Sequence, residues 1–527
     1  MNDSEHSLRR QSVAWLFCFS LANLVLLKPW HYVQIGYAFD SYYKMSPNLP
    51  IIAIMSNVLA LTLIFRIVMT IGSDWRTPWV RSLARWGFLL LLLVLLNTFR
   101  QISKCEALAI GRLVLNPLAW LVGIGAVVTI IRWPRKVFVY SRTAVLVVSP
   151  LDFLAIAQAA LQVETDAPGL KNDATRPIIS PQFPALPGRV VWIVFDELDQ
   201  RVLCDERPES LALPEFERLR RESLYFPAAY PPSSETLTSL PALLCGRPVT
   251  NAQPCGRQTL FVDIYNEMGR LDYRSLPNIF TEARHLGLRS AVVGHYHPYP
   301  LVLGRDADES FWLSRVVEDR LRASSVLPAM LEQLRWIYSE PAMAERRSTI
   351  EMYRALKDRL MSAATNQQIG LTFAHLPVPH APGIWDPTRN DFSVRHRPGV
   401  EEYLGNVALC DATLCELRQC MEAADLWNGT MIIVTSDHWW RAPEGESLLG
   451  PLTYQVPLLI KMQTQTESLE YAEPCNNLQL YNLVLGNLRG EIQTPSQVVA
   501  YLDQHREDIP FDLWKYSLAE SSATRDE

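Results

Sequence analysis

The chain has 527 residues, with 49 Lys and Arg against 55 Asp and Glu, a net charge of −6. That mild acidity, with no basic stripe carrying interleaved aromatics, argues against nucleic acid as a partner. A mean hydropathy of +0.03 beside 20% charged residues averages two unlike parts: residues 1–165 hold nearly all the long apolar runs, and the remainder reads as a soluble domain.

A membrane-crossing helix needs about 20 mostly apolar residues. Four stretches come close, 13–33, 50–71, 84–99 and 113–131, and a weaker fifth at 143–161 carries Pro150 and Asp152. The first lacks a small-residue cleavage site and several more follow it, so none reads as a cleaved signal peptide. Cations set the orientation. Arg9, Arg10, Arg66, Arg76, Arg81, Arg85, Arg132, Arg135, Lys136 and Arg142 would lie on one side, against Lys28, Lys44, Arg100, Lys104 and Arg112 on the other. Ten against five predicts a cytoplasmic N-terminus, and five spans then put the C-terminal domain outside. The expected division is a five-helix transmembrane bundle over 1–161, a Pro- and Asp-rich linker over 162–188, a catalytic domain over 189–510 and a tail over 511–527.

The soluble part opens on the apolar run Val190–Phe195, of buried-strand length, ending in Asp196. Further strand patterns at 290–294, 370–376, 430–438 and 456–462 alternate with helical periodicity at 215–224, 317–337, 350–363 and 400–423. This alternation predicts a doubly wound α/β/α sheet, with ligands outside the carboxyl ends of its strands. Nine cysteines include no CxxC pair, so a zinc ribbon or thioredoxin-type site is not indicated. Cys245 and Cys255 lie ten apart, and Cys410, Cys415 and Cys420 recur every five. Disulfides and buried free thiols both stay open.

Two strand ends carry hard ligands, Asp196 and the adjacent Asp437 and His438 of T-S-D-H. Together they could hold a divalent cation. Thr236 precedes a short helix-like run, where the dipole and free N–H groups favour a negative charge. A plain N-cap role for Ser233, Ser234 or Thr236 stands beside that reading.

The ordered set V-V-W-I-V-F-D, T-x-x-S-x-P-x-L-L-x-G-R, H-L-P-V-P-H and T-S-D-H over about 189–490 resembles the sulfatase and alkaline phosphatase superfamily. With five N-terminal spans the layout is similar to lipid A phosphoethanolamine transferases and lipoteichoic acid synthase. The resemblance implies that Asp196, Thr236, Asp437 and His438 ligate a divalent metal, zinc or else manganese, with a second ion possible, and that Thr236 is the nucleophile. It also implies that His375 and His380, and His295 and His297 of G-H-Y-H, meet the substrate. Asp411, Asp386, Glu197 and Asp199 stand either as supporting groups or as surface and cap residues. Sulfatases need Cys or Ser as the source of formylglycine. Thr236 cannot yield that aldehyde because its Cβ carries a methyl group, so phosphoryl transfer is favoured.

The sequence departs from the lipid A enzymes at Asp196, where they have Glu. It departs again at Trp439, Trp440 and Arg441, where they have Gly after the histidine, and it has no histidine between 439 and 504. The implied activity is transfer of a phosphoethanolamine- or phosphoglycerol-type group from a phospholipid to an envelope glycan or glycolipid, at a bacterial inner membrane with the catalytic domain on the periplasmic or extracellular side. A membrane-tethered phosphodiesterase or phosphatase using water, and a non-catalytic scaffold, are the alternatives.

Overall fold

The computed structural model describes residues 3–31, 48–71, 131–162, 188–255, 259–313, 326–338, 341–395, 399–441 and 451–516, with single positions between 87 and 129. The chain forms two compact units, one of Met1–Gly169 with Val316–Ala344, the other of Leu170–Arg315 with Glu345–Glu527.

The first unit contains α1 (Asp3–Val25), α2 (Leu27–His31), α3 (Asn48–Ile71) and α4 (Pro134–Gln162). Among the described residues two helical stretches, Leu49–Thr70 and Lys136–Gln158, are long and apolar enough to cross a membrane; 22 and 23 residues span about 33 Å, against a hydrocarbon core of about 30 Å. The expected first span is divided at Leu26 into α1 and α2. The stretches 84–99 and 113–131 and the linker 162–188 lie largely outside the described residues, so a five-helix bundle is not what the described helices amount to. The fifth stretch forms a continuous helix despite Pro150. Asp152 is buried while its neighbours Leu151, Phe153 and Leu154 are exposed, so the carboxylate sits on the packed face of α4.

The helix Val326–Tyr338 belongs to this unit, although the sequence places it within the catalytic region. Its Ala329 packs on Ala53, and Ile337 joins the cluster of Ile51, Ile54 and Trp30. The Asn57 amide donates to the Met330 carbonyl and to Gln333 Oε1 at 3.0 Å each. Gln333 in turn donates to the Pro50 carbonyl. These bonds fix the helix against the first turns of α3.

The second unit is built on an eight-stranded sheet. Its strands are β1 (Val190–Asp196), β2 (Leu224–Tyr225), β3 (Arg289–Gly294), β4 (Glu309–Trp312), β5 (Ile369–Pro379), β6 (Met431–Ser436), β7 (Leu458–Lys461) and β8 (Leu469–Glu470). They lie in the order β8-β2-β7-β6-β1-β5-β3-β4. β6, β1, β5, β3 and β4 run parallel, but β7 pairs antiparallel with both β6 and β2. The sheet is therefore mixed rather than uniformly parallel. β1 is buried along its whole length, as a central strand covered on both faces must be. One face (Val191, Ile193, Phe195, Ala374, Leu376, Ile432, Val434) packs on Tyr353 and Leu356 of the helix Pro341–Thr365 and on Val407 and Leu414 of a long helix at Gly399–Ala423. On the other, Trp192 meets its register partner Phe373 edge-on at 5.3 Å, and Phe280 follows.

The eight cysteines among the described residues are free thiols. Cys410, Cys415 and Cys420 share the helix Gly399–Ala423, where a five-residue spacing turns them away from one another.

α5 (Pro214–Arg221) is followed by α6 (Thr236–Cys245), in which every residue is buried. α6 ends at Gly246, with φ 66°, donating its N–H to Ala242. A Cβ there would lie 2.5 Å from the Tyr481 ring. Gly246→Ala thus adds left-handed strain to a clash, and is expected to destabilise this unit by about 2 kcal/mol, measurable by denaturant unfolding.

Candidate active site

The four adjacent parallel strands β6, β1, β5 and β3 all end at one edge, and each end carries site residues. β1 delivers Asp196, the residues after β6 deliver Asp437 and His438, β5 carries His375 with His380 just beyond, and the turn after β3 holds His295 and His297. α6 brings Thr236 to the same edge from its first turn.

Thr236 Oγ1 donates to Asp437 Oδ2 at 2.7 Å and lies 3.2 Å from His438 Nε2. The N-cap position belongs to Glu235, and no side chain caps the helix. The plain N-cap reading of Thr236 is therefore wrong, because its hydroxyl turns to Asp437 instead of a backbone N–H. His438 Nδ1 faces the Trp439 carbonyl at 2.9 Å; as a donor there, it leaves Nε2 with its lone pair towards Thr236. Asp437 Oδ1 accepts from the backbone N–H groups of His438 and Glu197 at 3.0 and 3.1 Å, so only Oδ2 turns to the threonine. Ser239 Oγ donates to the Asp437 carbonyl at 2.6 Å, tying α6 to this loop. Ser436 Oγ accepts from Leu198 N and bonds the Phe195 carbonyl, closing β1 against β6.

On the other side of Asp196, His295 Nε2 lies 3.0 Å from Asp196 Oδ2, and the His295 and His375 rings are 4.3 Å apart. His375 Nε2 is 4.0 Å from Asp437 Oδ2. His380 donates its backbone N–H to the Asp196 carbonyl, while its ring lies nearer the surface, 4.0 Å from Glu197 Oε1. His297 is buried beside the first turn of α6. All eight predicted site residues thus gather at one edge, His380 on its rim.

Burial raises the pKa of Asp196, but His380, His295 and His375 outweigh it and hold the carboxyl well below its ordinary value. Burial, helped by His375, pushes His297 down to about 3 against backbone hydrogen bonding to Thr236 and Leu237, so it is neutral at ordinary pH.

Two groups, Asp196–His295–His375 and Asp196–Asp437–His438, each bring their ligand atoms within 4.8 Å of one another, all buried. Two carboxylates buried this closely call for positive charge, and hard oxygens with imidazole nitrogens suit a divalent ion. The donor set fits a metal.

Residues 189–489, more than half of the chain, match the family described as Sulfatase. The chain belongs to the Sulfatase family. Sulfatase-family enzymes bind a divalent metal, which accords with the Asp and His groups at the strand edge. No curated protein matches the chain. Among solved structures it is similar to a complex of Ps i-CgsB with k-i-k-neocarrahexaose (15% identity, 59% of this chain, 74% of that one, TM-score 0.42). It is also similar to a phosphonate monoester hydrolase of Agrobacterium radiobacter (14%, 57%, 74%, TM-score 0.38) and to the lipoteichoic acid synthase LtaP from Listeria monocytogenes (12%, 59%, 74%, TM-score 0.38).

Of the supporting candidates, Glu197 and Asp199 lie at this sulfatase-family edge. Asp411 instead accepts from the Glu215 and Phe216 N–H groups of α5, and Asp386 caps a turn at Thr388. Trp439 and Trp440 are buried, Trp439 against Tyr454 and Trp514 and Trp440 stacked on Tyr403, so neither offers a face to a sugar or lipid. Sequence reasoning gave no role to Ser436, Ser239 or Arg441. Arg441 could have been suspected from its place three residues after the T-S-D-H histidine.

Asp437→Asn is expected to lose about one equivalent of bound metal, read by elemental analysis of protein with an unchanged circular dichroism spectrum. Folded His297 stays neutral, whereas an unfolded one takes up a proton below its ordinary 6.5. The second unit should therefore lose stability as pH falls from 6.5 towards 3, and His297→Gln should remove that part of the slope in denaturant unfolding.

Proposed function

We propose that this sulfatase-family protein is a metal-dependent transferase that moves a phosphoethanolamine- or phosphoglycerol-type group from a phospholipid to an envelope glycan or glycolipid, through a phosphothreonine at Thr236. The observation that carries it is the Thr236 hydroxyl at the N-terminus of α6, held 2.7 Å from Asp437 Oδ2 and 3.2 Å from His438 Nε2. A threonine cannot become formylglycine, so sulfate-ester hydrolysis by that route is closed to it.

Asp196, Thr236, Asp437 and His438 would hold one divalent ion, zinc or manganese, with His295 and His375 able to share a second with Asp196. Such an ion lowers the pKa of a hydroxyl and polarises phosphoryl oxygens. Thr236 attacks phosphorus, its proton leaving along the bond to Asp437, and the bond from phosphorus to the lipid oxygen breaks. The N–H groups of Thr236 and Leu237, in the first turn of α6, would receive the negative charge on the phosphoryl oxygens. Where no second ion is held, His375 and His295 would instead hydrogen-bond the same group. His380, on the rim, is placed to give a proton to the leaving lipid oxygen and to take one from the acceptor hydroxyl, whose oxygen then bonds phosphorus as the phosphorus–Thr236 Oγ1 bond breaks and Thr236 recovers its proton from Asp437. The two apolar helical stretches support a lipid donor, because they would keep the site at a bilayer; a multi-pass topology with this unit outside the cytoplasm completes the reading.

Incubation of the full-length protein with phospholipids, followed by intact mass measurement, is expected to show a phosphoethanolamine or phosphoglycerol adduct on the wild type and none on Thr236→Ala, whose turnover falls on the order of a thousandfold or more. Free head-group phosphate released to water without acceptor would point to the hydrolytic alternative. No adduct with any lipid in metal-replete protein would overturn the transferase reading.

A further inference from the structure

Beyond the eight residues read from the sequence, the Arg441 guanidinium stands at the same edge. Arg441 follows two tryptophans that cannot move freely. Trp440 stacks on Tyr403 with ring centroids 4.1 Å apart and 14° between planes, and its N–H donates to Asp199 Oδ2 at 3.3 Å. Tyr403 is itself fixed, its hydroxyl donating to the Glu197 carbonyl at 2.7 Å and accepting the Asp199 N–H at 3.0 Å.

From this stalk the Arg441 side chain, 48% exposed, turns back into the site instead of trailing into solvent. Its Nε donates to Glu197 Oε1 at 3.1 Å, and its Nη2 lies 3.4 Å from His438 Nε2. That is the nitrogen Thr236 Oγ1 approaches at 3.2 Å, so the guanidinium and the hydroxyl flank one atom. Glu197 is held for this task at a cost. It sits in the left-handed region, φ 67°, which a non-glycine residue adopts only where its surroundings impose it, and its N–H is tied to Asp437 Oδ1.

We propose that Arg441 is an oxyanion clamp: its guanidinium binds non-bridging oxygens of the phosphorus that Thr236 attacks, and Glu197 is the positioning residue that aims it. The inference rests on the reading of Thr236 as the nucleophile. His438 Nε2 would be among the atoms holding a metal, and the contact to it is the longest that Arg441 makes. Nε stays on Glu197, and the two terminal nitrogens are left for an anion, in the paired geometry that suits a phosphoryl group. A lysine would supply the charge without the fork.

The test is calorimetric titration of inorganic phosphate into metal-replete full-length protein, alongside metal content and thermal unfolding. Arg441→Ala should weaken phosphate binding roughly ten- to a hundredfold with metal content and unfolding unchanged. Arg441→Lys should recover part of the loss, and Glu197→Gln should fall between. Unchanged phosphate affinity in Arg441→Ala, loss of its metal, or no phosphate binding by the wild type would each overturn the proposal. Failure of the nucleophile reading is separate: it would appear as a missing adduct at Thr236 while the phosphate titration still responded to Arg441.

Discussion

The carboxylate of Asp437 is divided between two tasks, and the rest of the site depends on that division. One oxygen is taken up by backbone N–H groups from its own loop and from the residue after β1. The other faces Thr236. A buried carboxylate without such fixed donors would turn towards whatever polar group it could reach. Held as it is, it locks the end of β6 to the end of β1 and gives α6 a defined place to present its hydroxyl. Ser436 and Ser239 repeat the same connections at neighbouring atoms, so the three elements are stapled at a single point.

Much of this was legible in the sequence because the chemistry sits where strands stop. The run from Val190 to Phe195 has the length and β-branched content of a buried strand, and Asp196 at its end inherits a position at the sheet edge. The same logic placed Asp437 and His438, whereas His375, inside β5 and not at its end, was reached through the family resemblance. What pattern could not supply was direction. The stretch around Leu458 reads as a strand whichever way it runs, and its antiparallel pairing with β6 follows from contacts distant in sequence. Trp439 and Trp440 were equally ambiguous, since a tryptophan pair suits a ligand surface or a core. Tyr403, Tyr454 and Trp514, none of them near in sequence, decide for the core.

The Glu197 backbone illustrates a third kind of information that residue types do not carry. Nothing in D-E-L-D marks the second residue as left-handed. The conformation arises because its N–H must reach Asp437 while its carbonyl must accept from Tyr403. Local preference yields to two long-range bonds, and the side chain is thrown towards Arg441 as a result.

The helix Val326–Tyr338 has a consequence for how the molecule can be divided. Because this segment is built into the first unit through Asn57, Gln333 and Ile337, the backbone passes between units at three places along its length, not one. No single cut separates them. A fragment beginning near Gly188 would carry this helix away from α3, with the amide of Gln333 stripped of its partners and Ala329 and Ile337 turned out to water. Such a fragment would be sticky even with an intact strand edge, because its exposed helix face belongs to the packing of the other unit.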